Sequence, residues 1–221
     1  MEIQERQNTG MLPPAEMLDC ISETFMKYGL RSTSMDDICK QLHIAKKTLY
    51  AYFENKDQVV EAVMLHRHKQ VDFDDLANQI DNHSAIHILL GTVDYFNTAV
   101  PRHNQAASNI YDLKKYHPAT HEKVTAQVEN FIIRYLDIVV KKGIEQGHFR
   151  KNIDVDLRIW LTCKELLFWF DPENMEDAKF AVSDIFCTMI ENFIRSMATL
   201  EGLKLLETEK KNFKAFRSCP E

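Results

Sequence analysis

SMDDICKQLHIAKKTLYAYF, residues 34–53, predicts two short helices joined by a tight turn. Ser34 followed by Asp37 has the spacing of a capping box at a helix start. Apolar residues then recur at positions i, i+3, i+4 and i+7, so they share one helical face. These residues are Met35, Ile38, Cys39 and Leu42. The pattern breaks at His43 and Ile44, where we expect the turn.

The second helix of this stretch has one apolar and one polar face. Leu49 and Phe53 are four residues apart and are expected to face inward. The other face carries ammonium, hydroxyl and phenol groups: Lys46, Lys47, Thr48, Tyr50 and Tyr52. Such groups suit phosphate oxygens and base edges, so we predict that this helix contacts DNA.

Composition predicts an all-α protein. The 221 residues are 45% hydrophobic, with only six glycines and six prolines. Helical periodicity is frequent, and the alternation typical of strands is almost absent. The start, MEIQERQ, does not resemble a signal peptide, and no apolar run is long enough to span a bilayer. We therefore expect a cytoplasmic protein that is not associated with a membrane.

The net charge of −6 argues against nucleic-acid binding by the chain as a whole. The charge is unevenly distributed, because residues 40–56 hold four lysines and one glutamate. A local basic patch is what phosphate neutralisation requires, so an acidic chain can still bind DNA through this segment.

Helical patterns continue beyond the opening stretch. Residues 1–12 are predicted to be disordered, and a first helix enters at Pro13-Pro14 and ends near Gly29. Asn55 is the expected N-cap of a helix that reaches about residue 75. Further helices are predicted over 84–100, 103–115, 118 to about 143–147, 154–170 and 173–200. From Gly202 onward we expect at most one or two amphipathic turns.

No catalytic, metal or cofactor site is predicted. The five cysteines are far apart and fit reduced, mostly buried thiols. Two histidine pairs, His83/His87 and His117/His121, have a spacing that can hold a metal. Neither pair has the glutamate of the H-E-x-x-H pattern, so surface or polar contacts explain them better.

Residues 17–63 resemble the N-terminal domain of the TetR (tetracycline-repressor-like) family of bacterial regulators. The matching pieces are MLDCISETFMKYGLRSTSMDDICKQL, KKTLYAYF and NKDQVVEAV. DLKKYHP (112–118) and KGIEQGHFRKNIDVD (142–156) resemble segments of the family's ligand domain more weakly. Two positions depart from the family: His43 stands where glycine is usual in the turn, and Lys47 where a small residue is frequent.

The resemblance implies a helix-turn-helix DNA-binding domain over 13–56, joined to a larger helical effector-binding and dimerisation domain over 57–221. It implies a homodimeric regulator, expected to be a repressor, that binds a pseudo-palindromic double-stranded operator and is released by a small molecule. One alternative is a DNA-binding regulator controlled by a protein partner, with no small-molecule site. Another is an enzyme or ligand carrier, although no catalytic motif supports it.

The resemblance also implies roles for individual residues. Thr33, Ser34 and Lys56 would contact phosphates, Ala45, Lys46, Lys47 and Thr48 would enter the major groove, and Tyr50 and Tyr52 would reach the groove edge. We expect the effector to contact Tyr111, Phe131 and Tyr135. The dimer interface is expected on the helices near 154–170 and 174–200, through Trp160, Leu167, Ile185, Met189 and Phe193.

Overall fold

The computed structural model describes residues 13–67, 82–99, 103–175 and 178–217, and these residues are mostly helical. The predicted all-α class is confirmed. The helices are α1 (Ala15–Tyr28), α2 (Met35–Leu42), α3 (Lys46–Tyr52), α4 (Lys56–Arg67), α5 (Ala85–Ala99), α6 (His103–Tyr116), α7 (Pro118–Glu145), α8 (Val155–Phe170), α9 (Pro172–Met175), α10 (Val182–Met197), α11 (Leu200–Glu209) and α12 (Lys214–Arg217), with a 3-10 turn at Lys210–Asn212. The predicted disorder of 1–12 and the predicted helix end near residue 75 lie outside the described residues.

Residue contacts divide the chain into two compact units. The first unit holds residues 1–70 and 105–124, and the second holds 71–104 and 125–221. The sequence instead suggested a boundary after residue 56. The structure therefore groups α4, most of α6 and the start of α7 with the helix-turn-helix. Within the described ranges, no helix is both long enough and apolar enough to cross a membrane.

Helices α1 and α2 have the ends that their sequences predict. Gly29 follows α1 with a φ of 89°, and its N–H donates to the Phe25 carbonyl over 3.0 Å. At the start of α2, the Asp37 N–H donates to Ser34 Oγ over 3.2 Å, and the Ser34 N–H donates to the Asp37 carboxylate over 3.1 Å. The predicted capping box is thus confirmed.

The turn between α2 and α3 is confirmed at His43. This residue takes the left-handed conformation, with φ 54° and ψ 37°. The Ile44 N–H bonds to the Cys39 carbonyl and the His43 N–H to the Lys40 carbonyl, over 3.1 and 3.2 Å. This pair of bonds is the Schellman motif, which usually has glycine at the left-handed position. The apolar faces of α1 to α4 meet beneath the turn in one core, which includes Ile21, Phe25, Leu30, Ile38, Leu49 and Val59.

The second unit has its own apolar core, to which α5, α7, α8, α10 and α11 contribute. Its fully buried members include Leu89, Val93, Val140, Cys163, Ile194 and Leu206. Helix α7 continues through Gly143, where a Cβ atom would lie 2.2 Å from the Phe149 ring. The absence of that Cβ makes room for a buried phenylalanine.

The single long helix predicted over 173–200 is wrong. The chain forms the short α9, and α10 begins only at Val182. Phe180 is 71% exposed, and the buried face of α10 starts at Phe186. A helix gains most of its stability from packing, so residues ahead of α10 that bury no side chain have little to hold them helical.

The C-terminal segment is more ordered than the sequence suggested. Thr199 caps α11 by accepting the Gly202 N–H over 3.1 Å, and its hydroxyl donates to the Gly147 carbonyl over 2.8 Å. Phe213 and Phe216 are buried in the second unit. Residues 200–217 are therefore part of that unit's packed structure.

Candidate nucleic-acid interface

Helix α3 presents a polar face because one apolar side chain anchors it. Leu49 is fully buried, and Phe53, which follows the helix, is 3% exposed. Tyr50 is 47% exposed. The remaining exposed side chains on or beside the helix are Ala45, Lys46, Lys47 and Thr48. The structure thus places five of the predicted contact residues together on an open surface.

Tyr52 is a correction to the sequence interpretation. It is half-buried and packs against the core of the first unit, with its ring centre 6.4 Å from that of Phe53. Residues three apart lie on the same side of a helix, so Tyr52 shares the inward side of Leu49. We therefore remove Tyr52 from the set that faces DNA.

The two lysines of α3 differ in their surroundings. Lys46 lies 2.8 Å from the Asp36 carboxylate, and this hydrogen bond raises the pKa of Lys46 above its usual value. A phosphate group would have to compete with Asp36 for it. Lys47 has no carboxylate within ion-pair distance in the described part of the chain, so it is the more available cation.

The two residues expected at the start of α2 also separate. Thr33 is 2% exposed, and its hydroxyl donates to the Gly29 carbonyl over 2.8 Å. Because that hydroxyl is already used inside the unit, the predicted phosphate contact through Thr33 is not available in this conformation. Ser34 is exposed and donates its hydroxyl to Asp37 over 2.5 Å.

Lys56 lies at the start of α4 and is half-buried. Its ammonium donates to the carbonyl of Arg31 over 3.2 Å. Burial lowers the pKa of Lys56, and the nearby charges of Asp112 and Asp57 offset this only in part. Lys56 therefore supports the turn between α1 and α2 from a position beside the exposed start of α2.

Helix α6 supplies residues that the sequence analysis missed. Asn109 is 4% exposed and bonds to the backbone of Leu30 and Phe25. Asp112 accepts the Arg31 N–H over 3.3 Å. A lone asparagine 79 positions away from its partner leaves no local pattern, so only the fold could reveal this contact.

The three aromatic residues expected to contact an effector do not all have the same environment. Tyr111 is 44% exposed and belongs to the first unit. In the second unit, the rings of Phe131 and Tyr135 stack with their centres 6.2 Å apart. The Tyr135 hydroxyl lies 2.5 Å from that of Thr92, and burial raises the pKa of Tyr135.

Gln127 lies four residues before Phe131, on the same side of α7. Its Oε1 atom is buried and has no hydrogen-bond partner among the described residues. A buried acceptor without a partner is unfavourable, which makes this position notable beside the two stacked rings.

Helix α8 exposes an apolar face in the second unit. Leu157, Trp160, Leu161 and Phe168 are each 46–52% exposed. A groove of about 760 Å³ runs beside this face and is lined by α7 and α8 residues that include Ile133, Arg134, Asp156 and Trp160.

The other residues expected at a dimer interface have less free surface. Met189 and Phe193 are buried in the core of their own chain, at 5% and 4% exposure. Leu167 and Ile185 are half-buried against the same core. The exposed apolar surface thus lies mainly on α8, because the apolar face of α10 is used within the unit.

The histidines and cysteines have ordinary structural environments. His87 bonds to Glu209 over 3.0 Å, and its ring stacks on that of His83. His117 pairs with Asp57 over 2.9 Å. The four described cysteines are free thiols, and burial raises the pKa of Cys163 to about 11.

Comparison with known proteins identifies relatives of the DNA-facing segment and of the whole fold. Residues 18–63 match the family model described as bacterial regulatory proteins, tetR family. The HTH-type transcriptional repressor KstR2 of Rhodococcus jostii (strain RHA1) is 27% identical over 151 residues, which cover 64% of this chain and 70% of that protein.

Solved structures show the same fold. A transcriptional regulator from Cytophaga hutchinsonii ATCC 33406 superposes with a TM-score of 0.64 at 17% identity, over 83% of this chain and 97% of that one. The regulator FadR from Bacillus subtilis, solved in complex with stearoyl-CoA, gives a TM-score of 0.52 at 20% identity, over 81% and 96% of the two chains.

Proposed function

Because this chain is a TetR-family transcriptional regulator, and that family is non-enzymatic, we propose that it is a repressor that binds a pseudo-palindromic operator as a homodimer and is released by a small molecule. The observation that carries the DNA-binding part is the surface of α3. There Lys47, Thr48 and Tyr50 are exposed together while Leu49 fixes the helix in the core.

In this proposal, α3 enters the major groove and the start of α2 meets the backbone. Lys47 and Thr48 reach base edges or phosphates, and Tyr50 reaches the groove edge. Lys46 contributes only if phosphate replaces Asp36. Two such surfaces, related by a twofold axis, read two half-sites about one helical turn apart.

The dimer forms through the exposed face of α8. Trp160, Leu161 and Phe168 leave apolar area in water that a second copy would cover. A twofold axis is the usual symmetry of such homodimers, so the same face would serve both protomers. Burying aromatic anchors at the centre of an interface is a common source of binding energy.

The effector site lies beside α7 in the second unit. We assign it to Gln127, Phe131 and Tyr135, and leave out Tyr111 because it is exposed in the first unit. Two stacked rings favour an apolar ligand body, and the unpartnered Gln127 oxygen favours a ligand with a donor group. A fatty acyl-CoA is a reasonable first probe, since FadR was solved with stearoyl-CoA.

DNA binding is tested with duplexes selected from a random pool by the full-length protein. Lys47→Ala and Tyr50→Ala should weaken binding to the selected duplex while circular dichroism and dimerisation stay unchanged. Loss of a base-edge contact should cost about 1–3 kcal/mol of discrimination between sequences. Lys141→Ala, which removes a lysine paired with Asp137 in the second unit, is the matched control. Equal affinities for all four proteins would refute the assignment of α3.

Dimerisation is tested by light scattering after size-exclusion chromatography. Trp160→Glu should convert the dimer into a monomer, because a charge would be buried at the centre of the interface. Leu200→Glu changes another exposed apolar residue, 72% exposed, and should leave the dimer intact. A dimer that survives Trp160→Glu would place the interface elsewhere.

The effector assignment is tested with stearoyl-CoA as the probe. If it binds, it should raise the unfolding temperature and release the selected duplex, since a ligand at 100 times its Kd adds about 2.7 kcal/mol of stability. Gln127→Leu should reduce both effects while leaving the free protein equally or more stable, because it removes a buried acceptor without a partner. A response that is unchanged in Gln127→Leu would refute the role of Gln127.

A further inference from the structure

A second surface of the first unit combines cations with tyrosine rings. It is formed by Arg31, Tyr111, Lys115 and Tyr116, which we name the flank patch. The Arg31 guanidinium lies 5.2 Å from the centre of the Tyr116 ring, and the Lys115 ammonium lies 5.5 and 5.4 Å from the rings of Tyr111 and Tyr116. All four side chains are exposed.

The cations of the flank patch are unusual in having rings rather than carboxylates as neighbours. Lys40, Lys46 and Lys123 of the same unit each form an ion pair with an acidic side chain. Over the described residues, neither Arg31 nor Lys115 has a carboxylate within ion-pair distance of its side chain. Their charges therefore remain available to an anionic partner.

Acidic groups do lie close to the flank patch, but they have other partners. Asp112 accepts the backbone N–H of Arg31, and its charge acts on Lys56. Asp57 pairs with His117. Neither carboxylate neutralises the Lys115 ammonium.

The flank patch continues the surface that we propose for DNA. The Arg31 carbonyl accepts the ammonium of Lys56, and Arg31 is three residues before Ser34. Cations and phenol hydroxyl groups are donors that suit phosphate oxygens. Because the patch adjoins the exposed start of α2, its most direct anionic partner is the backbone of the same duplex, outside the base pairs that α3 reads.

We propose that the flank patch binds phosphates of the DNA that flanks each operator half-site. This inference rests on the proposed function, because it needs a duplex bound at α3. It adds affinity without sequence preference, and it makes the affinity depend on how far the duplex extends beyond the half-sites.

The test uses the full-length protein and two versions of the selected duplex, one trimmed to the half-sites and one extended by about ten base pairs at each end, which is about one turn of DNA. Affinity is measured as a function of salt. With the extended duplex, Lys115→Gln and Arg31→Gln should flatten the logarithmic salt dependence by about one unit for each patch lost. With the trimmed duplex, both variants should match the wild type.

Lys123→Gln is the charge-matched control, because Lys123 is in the same unit but pairs with Glu61. Identical salt dependence for Lys115→Gln and Lys123→Gln on the extended duplex would overturn the flank patch while leaving the proposed function intact. Failure of the wild type to select any duplex would overturn both. A loss of binding to phosphatidylserine vesicles by Lys115→Gln, with DNA binding unchanged, would also overturn the proposal and favour a membrane partner.

Discussion

The side-chain amide of Asn109 accepts the backbone N–H of Leu30 over 2.8 Å. The same amide donates to the Phe25 carbonyl over 3.0 Å, so it bonds to the chain on both sides of Gly29. Through this one buried side chain, α6 supports the turn that leads into α2. The position of Ser34 and of the exposed start of α2 therefore depends on a residue far away in the sequence.

Replacing Asn109 should weaken the first unit. Asn109→Leu keeps a similar volume but leaves the buried Leu30 N–H without a partner, at a cost of about 1–3 kcal/mol. Urea unfolding measures the difference. Ser108→Ala, on the exposed side of the same helix, is the control and should change stability little. If Asn109→Leu were as stable as Ser108→Ala, the contact would have no structural importance.

The turn at His43 should tolerate glycine and reject branched side chains. His43→Gly removes a Cβ from the left-handed conformation and should raise the free energy of unfolding by about 0.5–1 kcal/mol. His43→Val should lower it by about 1–2 kcal/mol, because a β-branched residue is strained there. Thermal unfolding of both variants beside the wild type gives the order, and equal stability of the two would contradict the strain argument.

Two helical glycines should respond to alanine in opposite ways. At Gly91, a Cβ would meet Phe213 at an ordinary 3.6 Å, so Gly91→Ala should stabilise the protein by about 1 kcal/mol through helix propensity. At Gly143, a Cβ would lie 2.2 Å from the Phe149 ring. Gly143→Ala should therefore destabilise the second unit by about 1–3 kcal/mol through overpacking. Calorimetric melting temperatures that shift in the same direction would contradict this.

Glu191 should make stability depend on acid pH. Burial alone would raise its pKa, but hydrogen bonds from Lys210 and Arg195 outweigh burial and hold the pKa below its usual value. A lowered pKa in the folded state adds stability above the unfolded pKa, which is about 4.3, and this stability is lost as pH falls through the folded value.

Glu191→Gln should therefore be less stable than the wild type at neutral pH, and the difference should shrink as the pH falls below about 4.3. Urea unfolding at several pH values measures it. The control is Glu165→Gln, at an exposed glutamate with no ion pair in the described ranges. A Glu191→Gln difference that stays constant with pH would show that the ion pairs do not hold this pKa down.

Local patterns in the sequence determined much of the first unit. Ser34 and Asp37 cap a helix wherever the chain places them three residues apart, and the break at His43 required a turn between two apolar faces. The spacing of Leu49 and Phe53 likewise decided which side of α3 is buried. These features depend on residues a few positions apart, whose geometry the helix itself fixes.

Only the tertiary structure decided which polar groups are free to act. The Thr33 hydroxyl and the ammonium groups of Lys46 and Lys56 are engaged inside the unit, and Tyr52 packs against its core. The break before α10, the brace from Asn109 and the flank patch likewise depend on contacts between residues that are distant in sequence. Periodicity shows which face of a helix is apolar, but only the folded packing decides what each face meets.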